Sequence, residues 1–194
     1  MKAWANAFRM PLPGRSEKTD GKRAAGVTMV IDKGLGLNAT RDLMDNAADY
    51  IDSLKLTFGT SAFVEERFLR EKVGLVRGAG VDIYPGGTFL EVAVSQGTFD
   101  KYLKRTKELG FNAVEVSDGT IEMSDETRRA VIKRALVAGF KVISEVGKKD
   151  PREELAIAKM QEQITSDLEL GVFKVIVEAR ESGHGVGIYD ASGN

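Results

Sequence analysis

The chain has 194 residues, and its 28 Lys and Arg against 29 Asp and Glu give a formal net charge of −1. This balance argues against a nucleic-acid-binding protein that works by bulk counterion release. The chain contains no cysteine, which excludes disulfides, thiolate nucleophiles and zinc–cysteine sites, and its apolar runs are too short to cross a membrane. We therefore predict a cytoplasmic protein that binds neither nucleic acid nor membranes, with a leader over residues 1–25 and one domain over residues 26–194.

A glycine followed by a short run of Val, Ile and Phe recurs along the chain. Glycine suits the left-handed residue that ends a helix, and a β-branched run is typical of a buried parallel strand. A further strand, without the glycine, is predicted at Ile51–Phe58. The runs that begin with glycine are Gly26–Ile31, Gly80–Tyr84, Gly110–Val116, Gly139–Val146 and Gly171–Val177.

Helical patterns lie between these strands. Apolar residues spaced for one helix face predict the helices, and Ser124 followed by two acidic residues predicts a helix N-cap. Pro151 marks the start of another helix, because proline is favoured in a first turn. The predicted helical segments are Thr40–Tyr50, Ala62–Val76, Phe99–Leu109, Ala130–Ala138 and Ala156–Leu170.

The alternation of strands and helices, at steps of 25 to 34 residues, predicts a parallel sheet with right-handed crossovers. An open doubly wound sheet and a closed barrel both fit this alternation. The motif Gly34-Leu-Gly36 lacks the third glycine of a dinucleotide-binding fingerprint, which disfavours the open sheet with that ligand. The pattern therefore predicts an α/β fold and leaves an open sheet and a TIM (β/α)₈-type barrel as alternatives. Because a full barrel of this kind needs roughly 250 residues, we expect it to be truncated to about six βα units, with the C-terminal units missing.

Charged residues cluster at the predicted C-terminal ends of the strands, where barrel enzymes place their chemistry. A charged side chain between apolar neighbours needs a partner, because burying an unpaired charge is costly. Converging glutamates and lysines could form a structural ion-pair layer, or they could hold a divalent cation such as Mg²⁺. The candidates are Asp32, Lys33, Lys55, Glu115, Asp118, Glu145, Lys148 and Glu178.

Two glycine-rich segments are candidate anion contacts. Gly86 and Gly87 follow the third strand and could expose backbone N–H groups, although the segment could also be a simple turn. Arg180 begins a second segment and suits a bidentate anion contact. Lys55 could bind an anionic group such as a phosphate or enolate electrostatically, or it could form a Schiff base. His184, the chain's single histidine, is expected at the surface.

Six further segments stand out in chain order: Met29–Gly34, Tyr50–Ser61, Tyr84–Thr88, Phe111–Gly119, Ser144–Lys149 and Glu178–Gly183. Taken together, these segments resemble the phosphosulfolactate synthase family. The resemblance implies a (β/α)₈ barrel and a Mg²⁺-dependent lyase that adds sulfite to phosphoenolpyruvate, giving (2R)-phospho-3-sulfolactate. It also implies homo-oligomerisation and a product used for coenzyme M or sulfolactate.

This reaction gives each candidate an expected role. Lys148 is the candidate proton donor, Lys55 would stabilise developing negative charge, and Asp32 would bind metal or orient Lys33. Two other functions stay open: a non-catalytic family member with a binding or stress-protective role, and a Schiff-base aldolase using Lys55. The expected metal ligands are Glu115, Glu145, Asp118 and Glu178, and the expected substrate contacts are Arg180, Gly86, Gly87, Ser182 and Gly183.

Overall fold

The computed structural model describes residues 26–147 and 157–177, so the predicted leader lies outside it. The described residues form six short strands, each overlapping a predicted strand segment, although β1 and β3 end one residue beyond theirs: β1 (Met29–Asp32), β2 (Ser53–Leu56), β3 (Asp82–Pro85), β4 (Ala113–Val116), β5 (Lys141–Val146) and β6 (Lys174–Val177). They also form the helices α1 (Leu37–Ala47), α2 (Glu66–Gly78), α3 (Gly87–Ser95), α4 (Phe99–Glu108), α5 (Asp125–Val137) and α6 (Ile157–Glu169). Two short 3₁₀ helices, Ala48–Tyr50 and Thr57–Ala62, flank β2. Within the described ranges no helix is long and apolar enough to cross a membrane.

The strands are arranged in two parallel sheets, in the orders β1-β2-β3 and β4-β5-β6. The predicted α/β class with parallel strands is therefore confirmed. The described strands do not form a closed barrel, because the backbone ladder is interrupted between β3 and β4. At this junction the side chain of Asn112 replaces backbone pairing: its Oδ1 accepts from the N–H of Ile83 at 3.0 Å, and its Nδ2 donates to Asp82 at 2.6 Å.

Each sheet has an outer face covered by helices and an inner face. On the outer face, the cluster around Leu54 and Ile83 packs under α1 and α2, and a second cluster around Val114 packs under α3, α4 and α5. The inner face carries Tyr84 and Ile143, which belong to a third apolar cluster containing residues from both sheets. Because alternate residues of a strand point to opposite faces, the strand register places the charged residues of β2, β4 and β5 on this inner face.

Helix α3 is not among the predicted helices, because the sequence of its first turn is typical of an exposed glycine loop. Its valine-rich run has modest helix propensity, and burial of Leu90 and Ala93 in the core overrides that preference. The opposite case is α5, where the predicted N-cap is confirmed: Ser124 Oγ accepts from the N–H of Thr127 at 3.2 Å.

The first residue of α3, Gly87, lies tightly against β4. A Cβ added to Gly87 would lie 2.7 Å from Glu115 Oε1 and even closer to Ser117 Oγ. Contacts this short are not found for real side chains, so a larger residue forces Glu115, Ser117 or α3 itself to shift. The close approach explains the glycine at this position.

We predict that Gly87→Ala destabilises the protein by roughly 1–3 kcal/mol, because overpacking forces the surrounding groups to shift. Gly74→Ala is the matched control, since Gly74 lies in α2 with open space around its Cα. There the change should be neutral or stabilising by up to about 1 kcal/mol. Urea denaturation of both variants measures the difference, and equal stability of the two variants would contradict the packing argument.

Candidate functional site

Three charged side chains from β2, β4 and β5 meet on the inner face near the C-terminal strand ends. Lys55 Nζ lies 2.7 Å from Glu115 Oε1 and 3.1 Å from Glu145 Oε2. Both glutamates are buried, whereas the Lys55 side chain is 15% exposed. This set, hereafter the Lys55 cluster, brings together three of the predicted site residues in the way that the strand pattern indicates.

Burial and mutual attraction determine the protonation states in the Lys55 cluster. Burial raises the pKa of Glu115 to about 7, the Lys55 ammonium acts to lower it, and the Glu145 carboxylate raises it. Burial alone would lower the pKa of Lys55, but attraction to the two carboxylates outweighs burial and raises it. Lys55 is therefore a stable ammonium group. A Schiff base requires a neutral amine, so these contacts disfavour the aldolase alternative.

The start of α3 contributes a further contact to Glu115. The N–H of Gly87 donates to Glu115 Oε1 at 2.8 Å. Because Gly87 is the first residue of α3, the helix dipole also favours a negative charge on Glu115. The other oxygen, Oε2, is buried and has no hydrogen-bond partner among the described residues. One carboxylate oxygen is thus fully engaged, while the second is left for a proton or a further partner.

The structure places the other predicted residue pair, Asp32 and Lys33, outside the Lys55 cluster. Asp32 is buried at the end of β1, where one oxygen accepts from the N–H groups of Gly34 and Leu35, both at 2.7 Å. Its second oxygen forms an ion pair with Lys72 of α2. Asp32 therefore holds the loop after β1 against α2, and Lys33 is exposed in that loop.

Asp118, another predicted metal ligand, is paired with an arginine that the sequence analysis missed. Arg128 of α5 is buried and lies 3.3 Å from Asp118. It also binds Asp167 of α6 at 2.6 Å and the backbone carbonyl of Glu145 at 3.1 Å. Arg128 belongs to a charged run that is typical of a solvent-facing helix, and its burial depends on α6, which lies about 40 residues away in sequence.

Some predicted site residues lie outside the described part of the chain, and their roles stay predictions: Lys148, Glu178, Arg180, Ser182 and Gly183. Gly86 and Gly87 are described, and both N–H groups donate within the protein. Gly86 donates to the carbonyl of Leu56 at 2.7 Å, and Gly87 donates to Glu115. The structure thus uses these two amides to attach α3 to its neighbouring strands.

The described side chains do not fit a magnesium site as they are arranged. Within residues 26–147 and 157–177, no three acidic or histidine side chains converge. The Lys55 ammonium lies between Glu115 and Glu145, in the space that a cation bound by both carboxylates would take. Since two cations there would repel each other, the two glutamates do not hold a metal ion in this arrangement.

Comparison with known proteins decides the family. The family model described as (2R)-phospho-3-sulfolactate synthase (ComA) matches residues 16–194. The chain belongs to this family. It is 40% identical over 191 residues to the phosphosulfolactate synthase of Methanothermobacter thermautotrophicus. The matched region covers 97% of this chain and 73% of that protein. It is 44% identical over 170 residues to the phosphosulfolactate synthase of Methanocaldococcus jannaschii, with 87% of this chain and 68% of that protein covered. It is 36% identical over 193 residues to the phosphosulfolactate synthase of Bacillus subtilis, with 97% of this chain and 73% of that protein covered.

We predict that Lys55→Met destabilises the protein at pH 7 by roughly 3 kcal/mol, because it leaves two buried carboxylates without their cation. Lys104→Met, an exposed change in α4, is the control and should stay within about 0.5 kcal/mol of wild type. Adding Glu115→Gln to Lys55→Met should restore part of the loss, because it removes one of the facing charges. Urea denaturation provides the measurement, and a Lys55→Met variant as stable as wild type would rule out an energetically important ion pair.

The raised pKa of Glu115 predicts a pH dependence of stability. Between pH 4.5 and about 7 the folded state keeps a proton on Glu115 that the unfolded state has lost, so the contribution of Glu115 to stability falls as pH rises. Glu115→Gln cannot lose that proton. Its stability relative to wild type should therefore improve from pH 5 to pH 7.5, by about 1 kcal/mol or more.

Urea denaturation at several pH values within this range measures that trend. Glu126→Gln, at an exposed position of α5, controls for the removal of one negative charge. A stability difference between Glu115→Gln and wild type that stays constant with pH would show that burial does not raise the pKa of Glu115.

Proposed function

We propose that this chain catalyses the addition of sulfite to phosphoenolpyruvate to form (2R)-phospho-3-sulfolactate. Family membership over residues 16–194 carries the proposal. The identities of 36% to 44% with three phosphosulfolactate synthases support it. The described geometry is consistent with it, because the Lys55 cluster lies at the C-terminal strand ends, where parallel α/β folds bind their ligands.

The reaction defines what the site must supply. The lone pair of the sulfite sulfur forms a bond to C3 of phosphoenolpyruvate, and the C2=C3 π electrons move toward the carboxylate, giving an enolate-like aci-carboxylate. A proton then adds to C2, and the phosphate ester remains in place. No group leaves. The site therefore has to hold two anions, stabilise additional negative charge on the carboxylate and deliver one proton.

Lys55 is the described residue best suited to stabilise that charge. Its ammonium group is fixed by Glu115 and Glu145, so it is oriented before the reaction begins. The Lys55 side chain is also more exposed than the two glutamates, so a substrate can reach its ammonium group. The two carboxylates leave the cluster with excess negative charge when both are ionised, and protonation of Glu115 near neutral pH removes that excess.

The remaining parts of the proposal rest on the family resemblance. Lys148 is the proposed proton donor, and Arg180 the proposed contact for phosphate or sulfonate. Mg²⁺ is retained as a proposed cofactor of the reaction, separate from the two glutamates that contact Lys55. No observation on the described residues favours the non-catalytic, stress-protective alternative.

The direct test is incubation of the purified chain with phosphoenolpyruvate and sulfite, with Mg²⁺ or with EDTA, and detection of the sulfonate product by mass spectrometry. We predict that Lys55→Ala lowers the rate by at least about a hundredfold, the scale expected when one preorganised charge is removed. Lys104→Ala, at an exposed position of α4, should retain the wild-type rate.

Circular dichroism establishes that the compared variants are folded, and Lys55→Gln gives a second, polar replacement. Absence of the sulfonate product under both metal conditions would contradict the proposed reaction. A folded Lys55→Gln variant with full activity would instead remove Lys55 from the mechanism and leave the reaction standing.

A further inference from the structure

Glu91 of α3 is a completely buried carboxylate that the candidate site does not include. Its two oxygens accept four hydrogen bonds, and all four come from the loop after β4. Ser117 Oγ and the N–H of Gly119, at 3.2 Å, donate to Oε1. The N–H of Thr120, at 2.7 Å, and its hydroxyl donate to Oε2.

The carboxylate of Glu91 is satisfied by these neutral donors. Among the described residues no lysine or arginine forms an ion pair with it, in contrast to Asp32, Asp118 and Glu115. A polar group that is buried this deeply depends on its hydrogen bonds. The loop must therefore keep a conformation that presents all four donors to Glu91.

The same helix that carries Glu91 also contacts the Lys55 cluster. Gly87, one turn earlier in α3, donates its N–H to Glu115, and its Cα lies against Ser117. Ser117 in turn donates to Glu91. The distance between α3 and the end of β4 is thus set by Glu91 on one side and by the Gly87–Glu115 hydrogen bond on the other.

We propose that Glu91 is a positioning residue that fixes the loop Ser117–Thr120 to α3 and thereby holds Glu115 in place against Lys55. Its role in turnover rests on the function proposed above. No hydrogen bond or ion pair joins Glu91 to Lys55, Glu115 or Glu145. It acts through the spacing of α3 and β4, which determines where the Gly87 N–H meets Glu115.

Thr120 offers the cleanest test, because its side chain can be changed without altering Glu91. Thr120→Val keeps the shape and removes the hydroxyl donor, whereas Thr120→Ser keeps the donor. We expect kcat for sulfite addition to fall about tenfold or more in Thr120→Val and in Glu91→Gln, since small misplacements of catalytic groups have effects of this size. Thr120→Ser should stay within about threefold of wild type, and KM should change little in all three variants.

Thr106→Val is the control for stability alone. Thr106 is buried in α4, and its hydroxyl donates to the carbonyl of Tyr102 and not to Glu91 or the loop Ser117–Thr120. This variant should lower the thermal midpoint and leave kcat unchanged. A Thr120→Val variant with wild-type kcat would overturn the proposal, because a merely structural role predicts loss of stability without loss of turnover.

A second readout separates this proposal from the proposed function. If Glu91 positions Glu115, amide hydrogen exchange at Gly87 should be at least about tenfold faster in Thr120→Val than in Thr120→Ser, with no substrate present. Faster exchange in a chain that does not convert phosphoenolpyruvate would retain the positioning role and reject the reaction. Equal exchange in the two variants would reject the positioning role whatever the activity.

Discussion

The site depends on one electrostatic constraint: a lysine ammonium held between two buried carboxylates. Burying Glu115 and Glu145 on the inner face is costly without Lys55, and burial of the Lys55 ammonium is costly without the two carboxylates. Their mutual dependence fixes three strand positions relative to one another. The two carboxylates also hold the Lys55 ammonium at a defined position, whereas a lysine surrounded only by water would not be oriented.

The periodic sequence predicted the convergence of Lys55, Glu115 and Glu145, because strand ends in a parallel sheet lie at one edge. Alternating apolar and polar residues then indicated which side chains share a face. No comparable periodicity marks α3. Its helical state comes from burial of Leu90 and Ala93 against the core, which depends on tertiary contacts.

Long-range ion pairs are a second feature that the sequence alone does not determine. Asp32 and Asp118 were recognised as charged residues at strand ends, but their partners, Lys72 and Arg128, lie on helices whose orientation the sequence did not establish. Arg128 in particular joins α5, α6 and the end of β5. A charged side chain on an amphipathic helix has many available neighbours, and only the packed structure selects among them.

The interrupted ladder between β3 and β4 has a consequence for how the protein assembles. Each sheet packs on its own outer core, so either half has much of what a small folding unit needs. The Lys55 cluster, however, takes its cation from the first sheet and its anions from the second. If only the first sheet were folded, the Lys55 ammonium would have no counter-charge, and if only the second were folded, the two carboxylates would have none. In either case the charged groups would be more stable in water than buried. The ion pairs of the site thereby favour the correctly assembled state, since these charges can be buried at low cost only when the two sheets are packed in register.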